Sequence, residues 1–535
     1  MNVLKNPSFF RPASRPSSPA PVPAVTMRPE INVTSEKAAK SLNKFALGNL
    51  RRSSPPASAP ASPTPLVQDG SYLEMLSLKF SEAVSKALAQ PSGPGFPNEL
   101  VSGKRPIPQG RGHTLGSLIS LELAACQHNS HLHRAILRSL HRPLSVLLTN
   151  LSAHLMPLLA SPSFYSPPLP ASQTWSPNAT QAHALAIATF AQELLEAFDE
   201  LNLGLDADIR GDGLKSIREG LVSIIHRVVS PLVSDLRAEL FPIIEALENA
   251  NGGQTKAVAG IKAATIYHPS IITLRAVMPT YAKALARYTS FPTSHGILAS
   301  FLVAVVWKGL VALSNRPYAS SAPQYPDVMN KKVRTPPPYN TPPVTPPLGR
   351  FSLKLPPSRP PSPPIAAIPA RASADAQALF DLFNTLPRPS ADKEATRLAR
   401  EAVDEAFDAL KALSALLDAI DKRNNDAGAP IAMAKEVHEL AEDIPLLIAL
   451  PILLSAYGGL NPGSVATLLC TSEAEYRKNC LSGIGRAEEC APVVAQRVMD
   501  ALQMQAEHRI IETLPMPYET NSIIYEWLRL ETSTN

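Results

Sequence analysis

The spacing in this chain that carries the most chemistry is Pro336-Pro337-Pro338-Tyr339, a PPxY pattern. Proline fixes φ near the polyproline-II value before any partner arrives. Such a turn can lay two prolines on aromatic rings and place the tyrosine in an adjacent groove at little ordering cost, and WW domains recognise this pattern. Downstream, Lys354, Pro357 and Pro360 fit the [RK]xxPxxP pattern of SH3 ligands, which is less specific because a PxxP match is nearly free in so proline-rich a stretch. Pro336, Pro337, Tyr339, Lys354, Pro357 and Pro360 are therefore the partner-binding candidates. Thr335, Thr341, Thr345 and Ser362 each precede a proline, as do Ser18, Ser54, Ser62 and Thr64 nearer the N-terminus, so each is a candidate for a proline-directed kinase. The run Arg51-Arg52-Ser53-Ser54 also suits a basophilic one. Each phosphate would add about −1.5 to −2 units of charge.

Other spacings invite chemistry and then fail on its requirements. His113, His128, His131, His133, His141 and His154 fall close together with Cys126. Only His128 and His131 have the three- or four-residue spacing that puts two ligands on one helix face, and no paired cysteines or carboxylate accompany them. The loop Asp206-Ala207-Asp208-Ile209-Arg210-Gly211-Asp212 begins like a calcium loop. It then places Arg210 and Ile217 where oxygen ligands belong, with Gly213 at position eight, and reads as a turn between helices. Cys470, Cys480 and Cys490 lie ten residues apart, match no zinc pattern, have only His508 within reach, and read as structural thiols. No Walker loop, dinucleotide fingerprint, GxSxG elbow or HExxH pair occurs. No catalytic residue, cofactor or metal ligand is assigned, and a non-enzymatic protein is expected.

The proline-directed sites lie in two compositionally distinct stretches. Residues 318–371 hold 16 of the chain's 55 prolines, with seven Lys or Arg against one acid, Asp327. Residues 1–70 hold another 12 prolines, with nine Lys or Arg against three acids. Segments of this kind bury too little apolar surface to offset their ordering entropy, so a disordered basic N-terminus and a disordered proline-rich linker are expected. The C-terminal stretch 372–535 has 14 basic against 25 acidic residues. Basic charge thus sits in the tails, which argues against a dedicated nucleic-acid-binding domain, where Arg and Lys cluster on a groove or recognition helix. The tether and the acidic stretch could also meet in a salt-dependent way, although solvated charge accounts for both.

The cysteine number and spacing do not make a disulfide framework, and residues 1–29 lack an uninterrupted apolar run. Their acid-free, serine-containing composition resembles a transit peptide, but the prolines would break the helix such a peptide needs. A cytoplasmic or nuclear location is expected.

Between and after the tails the pattern is helical. One face is marked by Leu73, Leu76, Phe80, Val84 and Leu88, and another by Leu137, Leu140, Leu144, Leu147, Leu151 and Leu155. The longest stripe runs Leu214, Ile217, Leu221, Ile224, Val228, Leu232, Leu236, Leu240, Ile243 and Leu247, interrupted by Pro231 and Pro242, so it is one kinked helix or several short ones. Ser176-Pro177 reads as an N-cap and first-turn proline. Ser390 is expected to cap a helix from Ala391 to Lys422 with Leu398, Phe407, Leu410, Leu413, Leu417 and Ile420 on its apolar face. A further helix is expected over 254–266, and Ser472 with Glu475 forms a capping box.

No strand of convincing length is visible, so the fold class is all-α. Two helical-bundle or irregular helical-array domains are expected, 71–317 with proline-rich loops near 91–112 and 161–176, and an acidic 372–535, joined by the linker 318–371. The functional expectation is an intracellular scaffold or adaptor whose linker binds WW- or SH3-type domains and is regulated by Ser/Thr-Pro phosphorylation. The alternative is a membrane-associated helical protein using the apolar segment 296–313, whose one charge, Lys308, would have to snorkel.

Overall fold

The computed structural model describes residues 66–92, 99–168, 175–205, 214–249, 267–317, 371–391, 394–423, 430–457, 463–511 and 520–534. Among these the architecture is all-α, with one isolated bridge between Val101 and Lys104 and no strand. The expected helix at 254–266 and the Asp206–Gly213 loop lie outside the described residues.

Before the proline-rich segment come α1 (Leu66–Leu88), α2 (Arg111–Ala125), α3 (Ser130–Leu159), α4 (Ala179–Glu200), α5 (Leu214–Glu245), α6 (Pro269–Tyr288) and α7 (His295–Ser314). After it come α8 (Ala372–Phe383), α9 (Glu394–Arg423), α10 (Pro430–Ala441), α11 (Leu446–Tyr457), α12 (Val465–Leu468), α13 (Glu473–Cys480), α14 (Ile484–Ile511) and α15 (Thr520–Thr534).

The leucine stripes become buried faces. Ile136, Leu140, Leu144, Leu147 and Leu151 of α3 are at most 1% exposed, as are Leu221, Ile225, Val228, Leu236 and Leu240 of α5. Pro231 and Pro242 lie within a single continuous α5, which closes into a short 3-10 turn, Ala246–Glu248. Two local readings change. The N-cap of α4 is Asn178, not Ser176: its side chain accepts from Gln181 N–H at 2.9 Å, and Gln181 answers with a capping-box bond. Helix α9 begins at Glu394 instead of Ala391, and Leu398 is 71% exposed, so its run of buried apolar residues starts at Val403.

Local devices fix the joints between helices. Glu193 of α4 is buried, and its carboxylate accepts from the backbone N–H of Gly110 at 2.8 Å and of Gly112 at 2.9 Å. A negative group thus satisfies the orphan donors at the positive end of α2. Gly112 is required there because a Cβ would lie 2.5 Å from the Phe190 carbonyl oxygen, a backbone atom that cannot move aside. At the other end of the joint, Arg111 Nη1 donates to the Ala87 carbonyl at 2.9 Å, just inside the end of α1.

Helix α4 packs on α2 and α5, and α7 packs on α5, α9, α11 and α8. Helices from both sides of the proline-rich segment therefore share one hydrophobic core, within a compact unit spanning Pro65–Asn535. The Trp307 indole of α7 donates to the Leu481 carbonyl at 2.9 Å in the interior, across 174 residues of sequence.

Candidate functional site at the base of the proline-rich segment

Helix α7 ends at Ser314 and α8 starts at Ala372, and the two points are tied together. Arg316 Nη1 meets Asp375 Oδ2 at 2.6 Å, with side-chain exposures of 6% and 0%. Asp375 lies in the first turn of α8, where a carboxylate also complements the helix dipole. Its second oxygen, Oδ1, accepts from the His268 backbone N–H at 2.9 Å, immediately before α6. The His268 ring in turn bridges two backbones: Nδ1 accepts from Ser270 N–H at 3.2 Å, which leaves Nε2 as the donor to the Asn249 carbonyl at 2.9 Å. Charge buried this deeply persists only when paired and hydrogen-bonded, and here both carboxylate oxygens are used.

Beside this clasp is a cavity of about 340 Å³ whose wall includes Ser314, Arg316, Pro317, Glu473, Tyr476 and Arg477. Arg477 Nη1 donates to Glu248 Oε2 at 2.8 Å and Nε donates to Glu473 Oε1 at 2.9 Å, which joins α13 to the turn after α5. The Glu248 bond holds the guanidinium still more firmly charged than an ordinary arginine. Tyr476 is buried with its hydroxyl unpartnered, and burial, ahead of the nearby Cys480, Glu473 and Cys490, pushes its ionisation well upward. Pro317, the last described residue before the proline-rich segment, thus stands at a polar, walled opening.

The partner-binding candidates Pro336, Pro337, Tyr339, Lys354, Pro357 and Pro360 lie outside the described residues. So do the phosphorylation candidates Ser18, Ser54, Ser62, Thr64, Thr335, Thr341, Thr345 and Ser362. Among the described residues no three His, Cys, Asp or Glu side chains assemble into a cage for a metal ion. His113 instead pairs with Glu196 at 3.7 Å, and His154 is held below the usual histidine value by burial and by Lys104. The apolar segment 296–313 falls in α7, which with its preceding turn is apolar enough to cross a membrane, yet 67% of its most apolar window is buried inside the protein. Lys308 pairs with Glu245 of α5 and lies 5.8 Å from the Phe241 ring centre. The cysteine trio divides: Cys470 is exposed at a left-handed backbone position, whereas Cys480 and Cys490 flank the α13–α14 joint, with the Cys490 thiol 3.6 Å from the carbonyl of Asn479.

Sequence reasoning had no means of pairing Arg316 with Asp375. The available signals were a lone arginine just past an apolar helix and an acid in a helix first turn, each ordinary by itself. Compared with known protein families, curated proteins and solved structures, the chain matches none.

Proposed function

We propose that this chain is a non-enzymatic intracellular scaffold or adaptor whose proline-rich segment, 318–371, is read by WW-type domains through Pro336, Pro337 and Tyr339. Lys354, Pro357 and Pro360 form a second, SH3-type ligand, and phosphorylation of Thr335, Thr341, Thr345 and Ser362 tunes both by cancelling the segment's basic charge. The observation that carries this reading is the buried Arg316–Asp375 pair, whose members are 59 residues apart in sequence and in contact in space. The segment therefore leaves and re-enters one helical base at a single clasp, and in this reading it extends from that base as an accessible loop. Its proline content and low apolar content favour an extended state, and pre-extended polyproline is what WW and SH3 grooves bind at low entropic cost.

Burial of α7 and the internal pairing of Lys308 favour this reading over use of 296–313 as a membrane anchor. Capture of partners by the intact protein, set beside Tyr339→Ala, tests it. A WW-domain protein is retained by the wild type and lost by the variant with the helical content unchanged; identical partner sets would refute the motif.

A further inference from the structure

Cys480 closes α13 and Cys490 lies early in α14, with only the short link at Leu481–Gly483 between the helices. Both side chains are partly exposed. Three groups converge at this joint. Arg486 Nε donates to the Asn479 carbonyl at 2.7 Å, the Cys490 thiol reaches the same carbonyl at 3.6 Å, and Asn479 is the residue next to Cys480. The Trp307 indole holds the neighbouring Leu481 carbonyl from the core side, which fixes the link against α7. The Cys490 thiol is close enough to Cys480 to act on its ionisation, and the Arg486 guanidinium acts on Cys480 in the opposite direction.

We propose that Cys480 and Cys490 form a redox-responsive pair that closes into an intramolecular disulfide when the protein meets a hydroperoxide and reopens with a dithiol reductant. The chemistry balances in two steps. The Cys490 thiolate attacks one peroxide oxygen, forming an S–O bond as the O–O bond breaks and water or an alcohol leaves, so that Cys490 becomes a sulfenic acid. Cys480 sulfur then attacks the Cys490 sulfur; the S–S bond forms, the S–O bond breaks, and the sulfenic oxygen departs as water with the Cys480 proton. Two thiols are oxidised by two electrons and the peroxide is reduced by two. A dithiol reverses the reaction by thiol–disulfide exchange, taking up the oxidation as its own disulfide.

The order of attack follows from environment. Burial first, and then the adjacent Cys490, push the Cys480 thiol up to about 11, with Arg486 opposing. Cys480 is therefore mostly protonated at neutral pH and suits the second step, in which proximity substitutes for thiolate fraction. The disulfide would staple α13, which carries Tyr476 and Arg477 in the cavity wall, to α14.

Thiol counting and peptide mapping of the intact chain after hydrogen peroxide test this directly, because trypsin cleaves after Arg486 and separates the two cysteines. The expected result is loss of two of the four thiols and a linked peptide pair containing Cys480 and Cys490, reversed by dithiothreitol. The link should form unchanged in Cys470→Ser and be absent in Cys480→Ser and Cys490→Ser. A linkage through Cys470, oxidation of Cys490 to sulfinic acid with no linked pair, or four intact thiols in the wild type would each overturn the proposal.

Discussion

Arg316 and Asp375 form an ion pair at 2.6 Å with the carboxylate fully excluded from solvent, and the proline-rich segment lies between them in sequence. The pair joins the end of α7 to the first turn of α8, and Asp375 extends the tie to α6 through the His268 backbone. Under the proposed function, anchoring at both ends of one core gives the proline-rich segment a fixed origin, which a linker between independent domains would lack.

Removing one partner of this clasp should cost far more than a surface charge does. Asp375→Ala removes the carboxylate from the buried Arg316 pair and leaves the His268 N–H without its acceptor, for which the expected destabilisation is about 3–5 kcal/mol. Exchanging the surface pair of Lys422 and Asp418 for alanines should cost under about 1 kcal/mol. Denaturant unfolding of the two variants beside the wild type measures both.

The shared core predicts interdependence of the two leucine-patterned stretches. Trp307 bonds Leu481, Arg477 bonds Glu248, and α7 packs on α9, so separating the parts before and after 318–371 exposes apolar surface on both. The intact protein should unfold in one transition when followed by far-ultraviolet circular dichroism and by tryptophan fluorescence. Fragments ending at 317 or starting at 372 should bind a hydrophobic dye when expressed singly and lose that binding when combined.

At the α2–α4 joint, Glu193→Leu removes the acceptor for two helix N-terminal donors, and a loss of about 1.5–3 kcal/mol is expected for bonds to a charged group. Gly112→Ala should also destabilise, by about 1–3 kcal/mol from overpacking against the Phe190 carbonyl. Chemical denaturation of each single variant gives the values.

Acid sensitivity has a named contributor in Glu122, which accepts from Lys79 at 2.5 Å and from the Tyr72 hydroxyl at 3.0 Å. The Lys79 hydrogen bond leads in holding its carboxyl below the ordinary glutamate value, against the opposing effect of burial. A depressed folded-state value means the stabilisation is present above the unfolded-state value and is lost as pH falls through the folded one. Glu122→Gln should therefore be less stable than wild type near neutrality, and the difference should shrink on acidification. Thermal midpoints at a series of pH values would show it.

Helix placement was legible because each stripe, such as Leu221 to Leu240 in α5, repeats at three and four residues and ends up on a buried face. The capping box of Ser472 and Glu475 was legible for the same reason: both partners lie within one turn. The α4 cap was misplaced by two residues because Ser176-Pro177 has the form of a cap and first-turn proline, whereas the capping box is made by Asn178 and Gln181. Leu398 misled because its spacing fits the apolar stripe of α9 while its side chain faces solvent, 71% exposed. The clasp and the Cys480–Cys490 joint depend on chain segments meeting in space, and periodicity carries no information about which segments meet.

In the proposed function, one helical base holds an accessible proline-rich loop. Amide hydrogen exchange on the intact chain tests it most directly. Strong protection is expected through α7 and α8 up to the Arg316–Asp375 clasp, with rapid exchange across 318–370 at every residue that has an amide proton. Slow exchange around Tyr339 in the isolated protein, or rapid exchange in α7 and α8, would contradict it.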